Sequence, residues 1–415
     1  TGWTPAPPRA AILERGNPIV TDCLTALLAE RGHLIADGAM GTNLFALGLE
    51  TGDSPELWNV EHPDRVATVH RAFLEAGSDI VLTNSFGGSR HRLKLHHAQD
   101  RVGELNAAAA RIARAEADAF AGRTGRRALV AGSMGPTGEL FVPLGALTPE
   151  EGVEAFAEQA AGLAEGGADL LWIETMSAPE EVTAAVAGAA RTGLPFVVTM
   201  TFDTNRRTMM GLTPDGFASF AQSLTPRPAA IGANCGVGPA ELVDTILGIT
   251  AADPEAVVIA KGNCGIPQYV DGQIVYDGTP EAMAAYARLA RDAGARIVGG
   301  CCGSTAVHVK AIADALAGYA PGTRPDAARL AEILGTPWAK RGRLADSDPR
   351  DEGASPEEGE RRRGRRRRAE VFLAEVSQTE CERCRVRSST CWPGPRPRWP
   401  PTATRPRSSS GSVGS

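Results

Sequence analysis

Eight short apolar runs, each followed by a helix-type segment, fill the chain from residue 33 to residue 316. The runs lie at 33–37, 79–83, 128–131, 169–173, 196–200, 229–232, 257–260 and 296–298. Between them the apolar spacing changes from strand to helix period: Val66, Val69, Phe73 and Leu74 share one helical face, as do Leu242, Ile246 and Ile249. An alanine-rich helix is expected over 105–121 and a last one over 305–316, while 22–31, with Leu24, Leu27 and Leu28 on one face, forms a helix ahead of the first strand. Helix starts are legible at Thr148-Pro149-Glu150-Glu151, Ser177-Ala178-Pro179-Glu180 and Thr279-Pro280-Glu281, where a capping side chain, proline and acids coincide. Eight strand–helix units over about 300 residues is the count and length of a (β/α)8 TIM barrel of the α/β class. The rival doubly wound sheet would open its first helix on Gly-x-Gly-x-x-Gly, which does not occur after the first strand.

This repeat divides the chain into three parts. Residues 1–19 form a proline-rich lead expected to be disordered, and 20–320 form the barrel. From Pro321 the periodicity fades, and 321–415 reads as a low-complexity tail rich in Arg, Pro and Ser, also expected to be disordered. Charge follows the same division. Residues 340–415 hold 18 basic and 11 acidic residues, a balance of +7, which leaves −13 on the rest of a chain whose net charge is −6. An acidic body argues against nucleic acid as its main partner. No run of 18 apolar residues occurs, so no membrane-spanning helix is expected, and 1–18 lacks the apolar core of a secretory signal. Eight cysteines over 415 residues do not make a disulfide framework, and a reducing cytoplasm is the expected compartment.

The polar motifs fall at the strand exits. Asp37, Asn84, Glu174, Cys235, Asn263, Cys301 and Cys302 each follow a strand, so a barrel gathers them at one mouth, where active sites lie. Adjacent Cys301 and Cys302 stand in Gly299-Gly300-Cys301-Cys302-Gly303. Neighbouring side chains on a strand point to opposite faces, so both thiols reach one atom only where the strand stops, and glycine permits that break. Cys235, in Ile231-Gly232-Ala233-Asn234-Cys235-Gly236, supplies a third sulfur. Three thiolates suit a soft metal such as zinc and leave one coordination position open, as catalytic zinc sites do. Sulfur-rich zinc suits activation of an external thiol rather than of water. The alternative is three buried cysteines packing as small hydrophobes. Asp37 and Glu174 offer two carboxylates to an ammonium group, which together with the metal describes a pocket for a thiol-bearing amino acid.

The motifs Asp37-Gly38-Ala39-Met40-Gly41-Thr42, Thr83-Asn84-Ser85-Phe86, Gly135-Pro136, Glu174-Thr175, Gly232-Ala233-Asn234-Cys235 and Gly299-Gly300-Cys301-Cys302-Gly303 resemble those of the homocysteine S-methyltransferases. The resemblance spans residues 20 to 318 and is nearest to bacterial betaine–homocysteine methyltransferases. It implies one zinc ion per chain on Cys235, Cys301 and Cys302, a homocysteine amino-acid end held by Asp37, Gly38 and Glu174, and methionine as product. It also implies betaine as methyl donor, with S-methylmethionine or a methylated corrinoid protein as alternatives. Two departures bear on the donor. A tyrosine of the animal enzymes' betaine pocket is Gly87 here, and their reserve zinc-ligand tyrosine is Thr175. Phe45, Trp58 and Phe86 are the aromatic side chains left near the mouth to face a quaternary ammonium.

Other residues carry plainer expectations. Cys264 reads as a wall residue, His96 and His97 as surface residues, and His308 as a residue that positions a loop. Cys381-x-x-Cys384 with Cys391 lacks a fourth metal ligand. A reading of another class makes the barrel a non-catalytic scaffold whose basic tail, with its run at Arg361 to Arg368, engages nucleic acid or protein. Such a scaffold needs neither the cysteine set nor the paired acids.

Overall fold

Every pairing in the main sheet is parallel, and each strand lies beside its neighbours in sequence. The computed structural model describes residues 22–50, 52–203, 205–270 and 273–338. The 1–19 lead, the arginine run at Arg361 to Arg368 and Cys381, Cys384 and Cys391 lie outside the described residues.

The strands are β1 (Leu34–Ile35), β2 (Ile80–Leu82), β3 (Leu129–Met134), β4 (Leu170–Met176), β5 (Phe196–Met200), β6 (Ala230–Cys235), β7 (Val258–Gly262), β8 (Pro267–Val270), β9 (Gln273–Tyr276) and β10 (Ala295–Gly300). Eight of them form one sheet in the order β1-β10-β7-β6-β5-β4-β3-β2. An Ala36–Ile80 bridge, with the Asp37 amide donating to the Ile80 carbonyl at 3.0 Å, brings the two edges together and closes the barrel. This is the TIM barrel that the eightfold repeat predicts.

Strand alternation sorts the apolar residues into two cores. Leu34, Ala36, Ile80, Leu82, Leu129, Ala131, Leu170, Trp172, Val197, Ala230, Ile259 and Ile297 pack together inside the barrel. Their neighbours Ile35, Val81, Val130, Leu171, Val198, Ile231 and Val298 face outward into the layer shared with the helices. Helix Cys23–Arg31, capped by Asp22 accepting from the Thr25 amide at 2.9 Å, adds Leu24, Leu27 and Leu28 to the interior cluster. Helix Pro149–Glu165 starts in the expected capping box, Thr148 and Glu151 each bonding the other's backbone amide.

Some elements differ from the sequence expectation. Helix Pro179–Ala190 starts without a side-chain cap, because its N-cap position is Ala178 rather than Ser177. β8 and β9 pair as an antiparallel ribbon between β7 and the next helix, a stretch for which no strand was expected. Helix Met40–Ala46 was likewise not anticipated, and the helix expected after the fifth run, without stated bounds, is Pro214–Ser223. The segment from Pro321 is not uniformly unpatterned: Ala327–Leu334 is a helix, capped by Asp326, with Leu330 fully buried. The described body therefore continues past residue 320 to Trp338. Among the described residues no helix is long and apolar enough to cross a membrane.

Candidate active site

The interior parity that buries Trp172 and Ile259 continues for two more residues along each strand. It brings Glu174 and Lys261 onto the same inward face, one layer nearer the C-terminal mouth, as it brings Ser133 above Ala131. A barrel interior that is apolar below thus ends in a polar layer above.

Cys235 stands at the end of β6 with φ 59°, a left-handed conformation that turns its side chain out of strand alternation. Beyond β10 the chain makes a tight turn, the Ser304 amide donating to the Cys301 carbonyl at 3.0 Å with Gly303 at φ 79°. That turn lets consecutive Cys301 and Cys302 face one point. Cys235 Sγ lies 3.2 Å from Cys301 Sγ and 3.4 Å from Cys302 Sγ, and all three sulfurs lie within 4.8 Å of one another. Hydrogen bonds from Cys235 and Cys301 push Cys302 down to about 3, while the same contacts, together with burial, raise Cys235 well above an ordinary thiol. Three thiolates this close would repel one another without a cation between them, and three convergent sulfurs are a donor set that could hold a soft metal ion.

Beside the sulfurs lies a buried ion pair. Lys261 Nζ donates to Asp37 Oδ1 at 2.8 Å and stands 5.4 Å from the centre of the Trp172 ring. The Leu82 amide donates to the other Asp37 oxygen at 2.7 Å. Burial raises Asp37 and opposes the charge on Lys261, but Asp37 and Glu174 outweigh burial and hold the lysine above its ordinary value. Glu174 is buried too and stands at about 7; burial drives the rise and Lys261 opposes it. Ser133 Oγ donates to Glu174 Oε1, and Asn234 Nδ2 reaches Oε2 at 3.3 Å. Asp37 therefore has both oxygens engaged at short range within the protein, while Glu174 Oε2 has only the 3.3 Å contact from Asn234.

A cavity of about 420 Å³ connects these groups to solvent. Asp37, Gly38, Glu174, Lys261 and the three cysteines line its inner end. Gly38 admits no side chain, since a Cβ would stand 2.8 Å from the Phe73 ring and 2.9 Å from the Ser304 carbonyl. Phe45 and Phe86, 47% and 39% exposed, flank the outer end. Trp58 does not line it; it is buried edge-on against His62 at 4.8 Å under the Arg65 guanidinium. His96 lines the outer end, whereas His97 is exposed outside it. Cys264 is turned away, its thiol donating to the Gly278 carbonyl at 3.2 Å, and His308 caps its own helix by accepting from the Thr305 amide at 3.1 Å. Asn84 braces the neighbouring loop through Pro55 and Asn59, and Asn263 bonds the Gly236 carbonyl at 3.0 Å while its buried Oδ1 has no partner.

Three polar residues of this layer were not anticipated as site residues. Lys261 could be found from sequence, as a lysine continuing the apolar run 257–260 on the parity of Ile259. Ser133 and Asn234 carry the same signal more faintly, being small polar residues at inward positions of otherwise apolar strands.

Residues 34–316 match the family model described as homocysteine S-methyltransferase. The methionine synthases of Mycobacterium tuberculosis and Mycobacterium leprae are each 32% identical to this chain, over 312 and 320 residues. Those stretches cover 72% and 74% of this chain but only 25% and 26% of the relatives, so the chain spans about a quarter of their length. Among solved structures, the metallated form of the Escherichia coli homocysteine methyltransferase MmuM shares the fold, with a TM-score of 0.60 at 23% identity over 70% of this chain and 99% of that one. Its oxidized form gives 0.59 at 24% identity, covering 70% and 98%. With 283 consecutive residues matched across the barrel and its three-sulfur mouth, the chain belongs to the homocysteine S-methyltransferase family.

Proposed function

We propose that the protein transfers a methyl group to the sulfur of homocysteine, giving methionine, with one zinc ion held by Cys235, Cys301 and Cys302. The observation that carries this reading is the convergence of three sulfurs within 4.8 Å at the inner end of a cavity lined by buried Glu174. When bound, zinc supplies the Lewis acidity that keeps a substrate thiol deprotonated near neutral pH.

The remaining work belongs to the chain. Glu174 accepts the substrate ammonium through Oε2, the oxygen held only by the long contact from Asn234. Asp37, fixed by Lys261 and the Leu82 amide, adds negative charge beside it, and Gly38, which lacks a side chain that would meet the Phe73 ring and the Ser304 carbonyl, brings its backbone to the pocket wall. The substrate sulfur attacks the methyl carbon of the donor: a C–S bond forms, the bond from that carbon to the leaving atom breaks, and its electron pair stays with the leaving atom. The thiol proton has already gone to solvent.

For the donor we favour an onium compound, betaine first. A cationic methyl donor is neutralised by giving up its methyl group, and the exposed faces of Phe45 and Phe86 at the outer end suit such a cation. S-methylmethionine has the same chemistry at sulfur. A methylated corrinoid protein is the second reading, favoured by the 32% identity to two methionine synthases. The full chain, loaded with zinc, is offered homocysteine with betaine, S-methylmethionine or a methylated corrinoid protein, and methionine is measured. Formation from betaine is expected, with about one zinc per chain. No methionine from any donor overturns the methyl-transfer reading, and full activity of metal-free protein overturns the role of the cysteines.

A further inference from the structure

Besides Asp37 and Glu174, the cavity is lined by a third buried carboxylate, one with no ion-pair partner among the described residues. Glu56 lies in the short 3-10 helix Pro55–Leu57, in the connection between helix Met40–Ala46 and helix Pro63–Ala76, and it is only 5% exposed although it lines the cavity. Its partners among the described residues are both neutral: the Gly87 amide donates to Oε1 at 2.7 Å and the Ser54 hydroxyl to Oε2 at 2.6 Å. Two hydrogen bonds fix the carboxylate without cancelling its charge, and a buried charge of this kind is normally paired.

Glu56 stands where a side chain at position 87 would begin. A Cβ added to Gly87 would lie 2.9 Å from Oε1 and 3.3 Å from Cδ of Glu56. The glycine and the glutamate are therefore one feature, in which the missing side chain makes the space that the carboxylate fills. Phe86, next to Gly87, exposes its ring to the same cavity, so the acid and the aromatic face are offered together. Asp53 adds a second, solvent-exposed carboxylate to this rim, and Arg92 a guanidinium.

We propose that Glu56 is the counter-charge for the cationic centre of the methyl donor, and that the Gly87–Glu56 pair sets the preference of this site for onium donors over uncharged ones. The inference rests on the onium-donor reading above. A quaternary ammonium or sulfonium lying against Phe86 within the field of a desolvated carboxylate is held by both. The charge on the donor disappears as its methyl leaves, so the same carboxylate favours entry of the donor and release of the demethylated product.

The test uses the full chain loaded with zinc and compares wild type with Glu56→Gln, Glu56→Asp and Gly87→Ala. Glutamine keeps the shape and can keep both hydrogen bonds, so folding, checked by thermal melting, and zinc content are expected to be unchanged. The KM for betaine is expected to rise about tenfold in Glu56→Gln, with the KM for homocysteine within twofold of wild type. Glu56→Asp, which retains the charge, is expected to keep most of the affinity, and Gly87→Ala to weaken donor binding by displacing the carboxylate. An unchanged betaine KM in Glu56→Gln overturns the role of Glu56 while leaving the onium reading intact. Wild-type methionine formation from a methylated corrinoid protein alone overturns the onium reading itself, and the role of Glu56 with it.

Discussion

Asn234 Nδ2 donates to Thr175 Oγ1 at 2.7 Å, and the Thr175 amide returns a hydrogen bond to Asn234 Oδ1 at 2.9 Å. This clasp joins the ends of β4 and β6 at two residues adjacent to site groups, Glu174 and Cys235. Thr175 is β-branched yet has φ 59°, a conformation that costs such a residue about 1–3 kcal/mol. The two bonds hold it there, and the Thr199 hydroxyl, donating to Asn234 Oδ1 at 2.8 Å, orients the amide. Asn234→Ala is expected to lower stability by roughly 2–4 kcal/mol through lost buried hydrogen bonds. Adding Thr175→Gly should recover part of that loss, since glycine tolerates the left-handed conformation. Urea unfolding of the two variants measures both effects, and a cost under about 0.5 kcal/mol for Asn234→Ala would sink the account.

The Lys261–Asp37 pair predicts a different pattern of loss. Removing one member of a buried pair strands the other, typically at about 3–5 kcal/mol, whereas removing both charges costs much less. Lys261→Met should therefore be more damaging alone than when combined with Asp37→Asn, which retains a polar group for the Leu82 amide. A double-mutant cycle by chemical denaturation gives the coupling. Simple additivity would mean that the two charges do not depend on one another.

The barrel was legible because its signal is repeated eight times. A run such as Val257-Val258-Ile259-Ala260 is ambiguous alone, but eight of them at regular intervals leave one economical closure. The gathering of Asp37, Glu174, Cys235, Cys301 and Cys302 then followed from position at strand exits. What was not legible depends on loops. Glu56 reaches the cavity from a connection whose path no periodicity encodes, and it fills a space defined by Gly87, 31 residues away. The engagement of Asp37 by Lys261, 224 residues distant, also depends on side-chain reach across the barrel. Trp58 shows the converse error of sequence proximity: it lies close to the cavity-lining loop in the chain but points into helix packing.

Glu174 gives the site a pH dependence with a definite sign. Burial raises its carboxyl to about 7, so it is largely protonated at pH 6 and largely ionised at pH 8. A ligand ammonium is held by the ionised form, and its affinity should fall as pH drops through about 7, approaching tenfold per unit. Methionine is the better probe, because it carries the amino-acid end without a titrating thiol. Calorimetric titration with methionine from pH 5.5 to 8.5 should show the inflection in wild type and lose it in Glu174→Gln. The same shift acts on folding with the opposite sense. The folded state holds the proton more tightly than the unfolded one, so this group's contribution to stability declines as pH rises from about 4.5 to about 7. An affinity for methionine that stays flat across pH 7 in wild type would remove Glu174 from the role of ammonium acceptor.

Truncation tests what the described stretch 321–338 contributes to the barrel. Past the barrel, Gly322 donates to Asp292 at 2.6 Å, Arg324 to the Leu247 carbonyl at 2.6 Å, and Trp338 Nε1 to Asp244 at 2.7 Å, while Leu330 is fully buried. Burying one leucine is worth about 1.5–3 kcal/mol, and Trp338, packed against the main core, adds to it. A chain ending after Trp338 keeps all of these contacts and should match the full chain in denaturant midpoint and zinc content. A chain ending at Ala320 loses them and should be less stable by roughly 2–4 kcal/mol, although its barrel strands and Cys235, Cys301 and Cys302 are intact. Equal stability of the two truncated chains would show that helix Ala327–Leu334 contributes nothing to the barrel it covers.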